Sequence, residues 1–133
     1  MNIENTIRQF FKCHAEIIAV YLYGSAITGR IHSESDIDIG VLFHYDKVPS
    51  FYQLLDLRTN LSERVDGDVD LVCLNEVSPI LQKQVISKGK PILVNNQHQL
   101  NQFIIKAFTD YVDLKITRQH LEKYILNRRV LDG

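Results

Sequence analysis

The chain has 133 residues, of which 45% are hydrophobic and 23% are charged. These proportions are typical of a globular protein and exclude a disordered chain, a collagen-like chain and a disulfide scaffold. The 15 basic and 16 acidic residues give a net charge of −1, so the chain has no broad positive field and we expect no direct nucleic-acid binding. The length fits one compact domain, which we expect to span residues 1–133.

The sequence also limits where the protein works. No apolar run approaches the roughly 20 residues of a membrane helix, and the first five residues include an acid but no basic residue. We therefore expect neither a membrane span nor a signal peptide. Cys13 and Cys73 show no CxxC spacing, which favours two reduced thiols in the cytoplasm.

The first half of the chain alternates helix and strand patterns. Apolar residues at three- and four-residue steps predict an amphipathic helix over residues 3–17. Residues 18–23 form a β-branched and aromatic run that predicts a buried strand ending at Gly24. Residues 24–30 are typical of a turn that enters a short helix, and residues 36–43 predict a second strand.

The second half continues the same alternation. Residues 51–65 predict a helix and residues 68–74 a third strand. Ser78 and Pro79 are an N-cap and a first-turn proline, and they begin a helix that ends before Gly89. Residues 91–94 predict a short edge strand, where a proline is tolerated. The fold class is therefore α/β, with a small β-sheet packed against helices.

A long C-terminal helix is predicted over residues 100–129. Its apolar stripe consists of Ile104, Ala107, Phe108, Tyr111, Leu114, Leu121 and Ile125. Its basic residues are Lys115, Arg118, Lys123, Arg128 and Arg129. The sequence leaves two interpretations of this basic side open, a solvated surface or a docking surface for an acidic partner.

The segment with the clearest chemistry begins where the first strand ends. Gly24 has no Cβ and lets a ligand approach the backbone closely. Ser25 offers its N–H and its hydroxyl, and a following helix start would add a positive end. Together these two residues suit a phosphate group.

Ten residues separate Ser25 from Asp36-Ile37-Asp38. Asp36 and Asp38 lie two apart on a strand, so their carboxylates leave the same face. Two such carboxylates repel each other unless a cation lies between them. Mg²⁺ suits this position because it binds oxygen ligands together with substrate phosphates, and two ions can serve a phosphoryl or nucleotidyl displacement. An ordinary turn followed by a solvated strand edge is the simpler alternative.

The ordered pattern Gly24-Ser25-x10-Asp36-x-Asp38 resembles the signature of the nucleotidyltransferase superfamily related to DNA polymerase β. The small size of the chain resembles the minimal nucleotidyltransferase (MNT) branch. This resemblance implies a nucleotidyltransferase fold with a mixed sheet and a third carboxylate on a neighbouring strand. That carboxylate would be Asp70, which would complete the metal site and take the acceptor's proton, with Asp68 as the alternative.

The same resemblance implies an activity and a partner. MNT proteins commonly act as antitoxins of HEPN-domain ribonuclease toxins and transfer AMP from ATP to a toxin tyrosine. We therefore expect an Mg²⁺-dependent adenylyltransferase, with ATP as substrate, in a hetero-oligomer with a HEPN toxin. Two alternatives remain open: an antitoxin that acts by binding alone, and an enzyme that modifies a small molecule such as an aminoglycoside.

Overall fold

The computed structural model describes residues 2–24 and 37–132, with side chains as far as residue 128. Within these residues four strands and four helices alternate in the predicted order. The elements are α1 (Ile3–Phe11), β1 (Ile17–Tyr23), β2 (Ile37–Phe43), α2 (Phe51–Val65), β3 (Val69–Cys73), α3 (Pro79–Lys88), β4 (Lys90–Val94) and α4 (Gln97–Asp132). No helix in this part of the chain combines the length and the apolar character needed to cross a membrane.

The strands form one mixed sheet in the order β3-β2-β1-β4. β1 pairs antiparallel with both β2 and β4, whereas β2 and β3 run parallel. The predicted edge strand is confirmed, since among the described strands β4 has a partner on one side only. Pro91 can occupy this strand because an edge position does not require every backbone N–H.

Local sequence signals fix several helix ends. The Ser50 hydroxyl accepts a hydrogen bond of 3.2 Å from the Gln53 backbone N–H, and the Gln53 side chain accepts one of 2.9 Å from Ser50 N–H. This capping box starts α2 where the sequence predicts it. Ser78 caps α3 in the same way, accepting from Leu81 N–H at 3.3 Å, and Pro79 follows at the first helical position.

The sheet separates two apolar clusters. On one face α1 and α2 cover the larger cluster, which includes Ile39, Val41 and Leu71. On the other face α3 and α4 cover a smaller cluster around Tyr21 and Leu42. Because strand side chains alternate between faces, β1, β2 and β3 each contribute to both clusters.

Two helix boundaries differ from the sequence prediction. α1 ends at Phe11 rather than at residue 17, because Ile17 is fully buried as the first residue of β1 and pairs with Phe43. α4 begins three residues before the predicted start. The Asn96 side chain accepts a hydrogen bond of 3.0 Å from Gln99 N–H and stabilises that earlier turn.

Candidate functional site

The end of β1 brings Gly24 against a carboxylate of β2. Gly24 has φ +72°, a backbone conformation that favours glycine. A Cβ built on Gly24 would overlap Asp38 Oδ2 and lie 3.2 Å from Asp38 Cγ. The position therefore requires glycine for two reasons, and a group that approaches the Gly24 backbone also approaches the Asp38 carboxylate.

Asp38 and Asp70 stand side by side across the parallel strands β2 and β3. They are direct partners in the register, as Tyr23 and Asp38 are across β1 and β2. Directly paired residues share one face of a sheet, and neighbouring strands lie roughly 4.8 Å apart. Tyr23, Asp38 and Asp70 thus form a row on the face that α3 and α4 cover. Asp38 is partly buried and Asp70 is exposed.

The pKa of the Tyr23 phenol reflects the negative charge of this row. Burial first, and then the negative charges of Asp38 and Asp70, raise the pKa of Tyr23 to about 12. Burial disfavours the phenolate, and two nearby carboxylates repel it. The phenol therefore stays protonated beside a negative site, and such a site attracts cations.

Asp70, rather than Asp68, stands next to Asp38. Asp68 precedes β3 and is exposed, and its backbone carbonyl accepts a hydrogen bond of 3.0 Å from Ile37 N–H. It lines a surface hollow with Arg58 at the end of α2. Asp68 is not part of β3, which begins at Val69.

Two of the predicted site residues, Ser25 and Asp36, lie outside the described residues, as does the predicted turn into a short helix after Gly24. Within the described part, no three His, Cys, Asp or Glu side chains form a cluster that could hold a metal. The described members of the predicted carboxylate trio are therefore Asp38 and Asp70.

The donor set of these two residues fits a hard cation. Both are carboxylates on one face, and carboxylate oxygens favour a hard cation, whereas sulfur and nitrogen ligands favour softer metals. Cys73, on the same strand as Asp70, belongs to the cluster on the opposite face. This placement agrees with the alternation expected from the sequence.

Sequence reasoning gave Tyr23 no role in the site. The signal was present, because Tyr23 directly precedes Gly24 and ends a run whose alternate residues face one side. Its proximity to Asp70 depends on the order of three strands, which the sequence pattern does not specify.

Comparisons with known proteins point to one family. The family model described as "Polymerase beta, Nucleotidyltransferase" matches residues 5–98. Protein adenylyltransferase MntA of Shewanella oneidensis is 37% identical over 100 residues, which cover 75% of this chain and 70% of that protein.

Solved structures show the same similarity over most of the chain. One is a crystal structure of a toxin–antitoxin with AMP-PNP, with a TM-score of 0.79, 31% identity, and coverage of 92% of this chain and 98% of that chain. Another is the MNT antitoxin in complex with the tri-AMPylated HEPN toxin of Shewanella oneidensis. Its TM-score is 0.74 at 28% identity, and the match covers 93% of this chain and 96% of that chain.

Proposed function

The chain belongs to the polymerase beta nucleotidyltransferase family, and from that premise we propose that it transfers AMP from ATP to a tyrosine of a HEPN ribonuclease toxin. The observation that carries this proposal is the row of Asp38 and Asp70 beside the Gly24 turn. The similar antitoxins occur with AMP-PNP and with a tri-AMPylated HEPN toxin. Their similarity supports both the adenine nucleotide and the kind of acceptor.

Each predicted site residue has a role in this reaction. Gly24 and Ser25 would hold the terminal phosphates of ATP, because the glycine leaves the backbone open to a close approach. Asp38 and Asp70, together with Asp36, would hold two Mg²⁺ ions. When bound, Mg²⁺ neutralises charge on the phosphate oxygens of the substrate.

Asp70 is placed to accept the proton of the acceptor hydroxyl. It is exposed, whereas Asp38 is partly buried against Gly24, so Asp70 is the more accessible to a hydroxyl supplied by another protein. The acceptor oxygen forms a bond to the α-phosphorus of ATP, the bond to pyrophosphate breaks, and the hydroxyl proton passes to Asp70. AMP is then esterified to the toxin and pyrophosphate leaves.

The partner completes the protein's function. We expect the toxin to supply the acceptor-bearing surface in a hetero-oligomer, because the described strands and helices all belong to one sheet and the helices that cover it. We place the reaction in the cytoplasm, where ATP and Mg²⁺ are abundant and free thiols such as Cys13 and Cys73 stay reduced. The modified toxin is silenced, and the enzyme thereby acts as an antitoxin.

The test is an intact-mass measurement of the HEPN protein after incubation with ATP, Mg²⁺ and this enzyme. We expect the mass of one or more AMP groups to be added. Asp38→Asn and Asp70→Asn should each lower the rate by about 100- to 10,000-fold, the usual range for a lost general acid or base. Asp68→Asn is the matched control and should keep the parent's rate.

Two results would contradict the proposal. An unmodified partner in the presence of the parent enzyme would exclude AMP transfer to it. If Asp38→Asn and Asp70→Asn silence the toxin as well as the parent does, the antitoxin acts by binding and the carboxylates are dispensable.

A further inference from the structure

The C-terminal half of α4 is a helix without a covering layer in the described structure. Every described residue from 112 to 128 is exposed. A helix of 36 residues is about 54 Å long at 1.5 Å per residue, and only its first half packs on the sheet and on α3. The second half therefore extends beyond the described body of the protein.

The apolar stripe that anchors α4 continues along this extension. Leu100 and Ala107 are buried against the sheet. Leu114, Leu121 and Ile125 follow on the same side of the helix, yet their exposed fractions are 40%, 56% and 45%. The sequence thus repeats a buried pattern in a segment that the described part of the chain leaves exposed.

The opposite side of the helix is also apolar. Ile105, Val112 and Ile116 share that side, and their exposed fractions are 67%, 49% and 47%. A helix that is apolar on more than one side is usually buried between other elements. An isolated helical extension is marginally stable in water without such packing. Both observations indicate that another chain packs around this segment.

Charge distinguishes the partners that could do so. Between residues 112 and 128 the basic residues outnumber the acidic ones. They are Lys115, Arg118, Lys123 and Arg128 against Asp113 and Glu122. Two copies packed side by side would bring like charges together, whereas a partner with an acidic rim would be attracted. The excess positive charge therefore favours a different protein over a second copy of this chain.

We propose that residues 112–128 of α4 are the docking surface for the HEPN toxin, whose helices pack on both apolar sides and present acidic residues to the basic ones. This inference rests on the proposed function for the identity of the partner. The antitoxins similar to this chain over more than nine-tenths of its length occur in complexes with such toxins. The helices of an all-helical partner can pack against the apolar sides of α4.

The first half of α4, from which the docking segment extends, packs toward the end of the sheet away from the carboxylate row. In its first half α4 lines a hollow together with Ile18 and Leu42. These residues lie five and four positions along their strands from Tyr23 and Asp38. Four strand residues span about 13 Å, so substitutions on α4 should leave the carboxylate row intact. The two activities are therefore separable by mutation.

The experiment measures the dissociation constant of the complex between this enzyme and the HEPN protein. The double variant Leu121→Glu, Ile125→Glu should weaken binding at least about tenfold, since buried apolar anchors dominate interface energies. Leu55→Glu is the matched control. It changes a leucine of α2 that is 41% exposed, and it should bind as the parent does. Circular dichroism should show the same helix content in all three proteins.

The outcomes separate this inference from the proposed reaction. Unchanged affinity of the double variant, or no binding by the parent, overturns the docking surface. The docking surface is also overturned if the parent is a dimer that the double substitution dissociates, because the surface then binds a second copy of this chain. Asp38→Asn should abolish AMP transfer and keep the affinity. If the parent binds through α4 but transfers no AMP, the docking surface stands and the proposed reaction fails.

Discussion

The two faces of the sheet differ sharply although the same strands build both. On the face covered by α1 and α2, β2 and β3 contribute only buried apolar side chains, among them Ile39 and Leu71. On the other face the same strands contribute Asp38 and Asp70, one residue away in each case. Because side chains alternate along β2 and β3, residues that stabilise the core and residues of the candidate site are neighbours in sequence.

This comparison shows how a small protein can carry a charged site. Carboxylates at positions that the helices fully cover would be buried at high cost. Here Asp70 is exposed and Asp38 only partly buried, while the apolar face supplies the burial that stabilises both strands. We therefore expect a substitution of Leu71 to lower mainly the stability, and a substitution of Asp70 to lower mainly the activity.

The largest effect on stability is expected from Leu71→Ala. Leu71 lies within the larger cluster and is buried. Its truncation should lower the free energy of unfolding by about 2–4 kcal/mol, measured by urea denaturation. AMP transfer per folded molecule should stay near the parent's rate.

Asp70→Ala, one position earlier, is the matched substitution on the other face. It should abolish AMP transfer and leave the free energy of unfolding unchanged or slightly raised, because it removes a charge that repels Asp38. If both variants lose stability equally, the two faces do not divide these roles as we describe.

A smaller effect is expected from Gly24→Ala. Alanine is strained at φ +72°, and its Cβ would overlap Asp38 Oδ2. We expect a loss of about 1–2 kcal/mol in the free energy of unfolding. A loss of AMP transfer should accompany it, because the Asp38 carboxylate must move aside.

Gly67→Ala is the control for this substitution. No atom lies within 4 Å of a Cβ built on Gly67, and its φ is not in the left-handed region. Stability and activity should both be close to the parent's. Equal stability of the Gly24→Ala and Gly67→Ala variants would show that Asp38 does not lie against Gly24.

The smallest effect concerns the titration of Tyr23. Its pKa is raised from 10.0 to about 12, first by burial and then by Asp38 and Asp70. The folded protein thus holds the phenol proton more tightly than the unfolded chain. The resulting stability is fully present below pH 10 and is lost as the pH rises toward 12.

Ultraviolet difference titration of the parent against Tyr23→Phe should reveal one phenol that ionises near pH 12. In Asp38→Asn the same phenol should ionise earlier, since one repelling charge is gone, but still above its ordinary value because burial remains. A Tyr23 signal that ionises near pH 10 in the parent would place the phenol away from both carboxylates.

Local patterns determined most of the elements. The capping box at Ser50 and the Ser78-Pro79 pair fixed the starts of two helices. The first helix was extended too far because Ile17 continues the helical spacing by coincidence, and no glycine or proline marks the stop at Phe11. Its place in β1 depends on pairing with Phe43, a contact distant in sequence.

The sequence by itself determined the order of helices and strands, because turns, caps and alternation depend on neighbouring residues, and it predicted Gly24, Ser25, Asp36, Asp38 and Asp70 as site residues. Only the tertiary structure decided that Asp70 rather than Asp68 stands beside Asp38, and that Tyr23 joins them. Strand order and register arise from contacts between segments far apart in the chain, and no local pattern encodes them. The exposed half of α4 divides in the same way. The sequence shows its apolar stripe, and only the tertiary structure shows that no described element covers it.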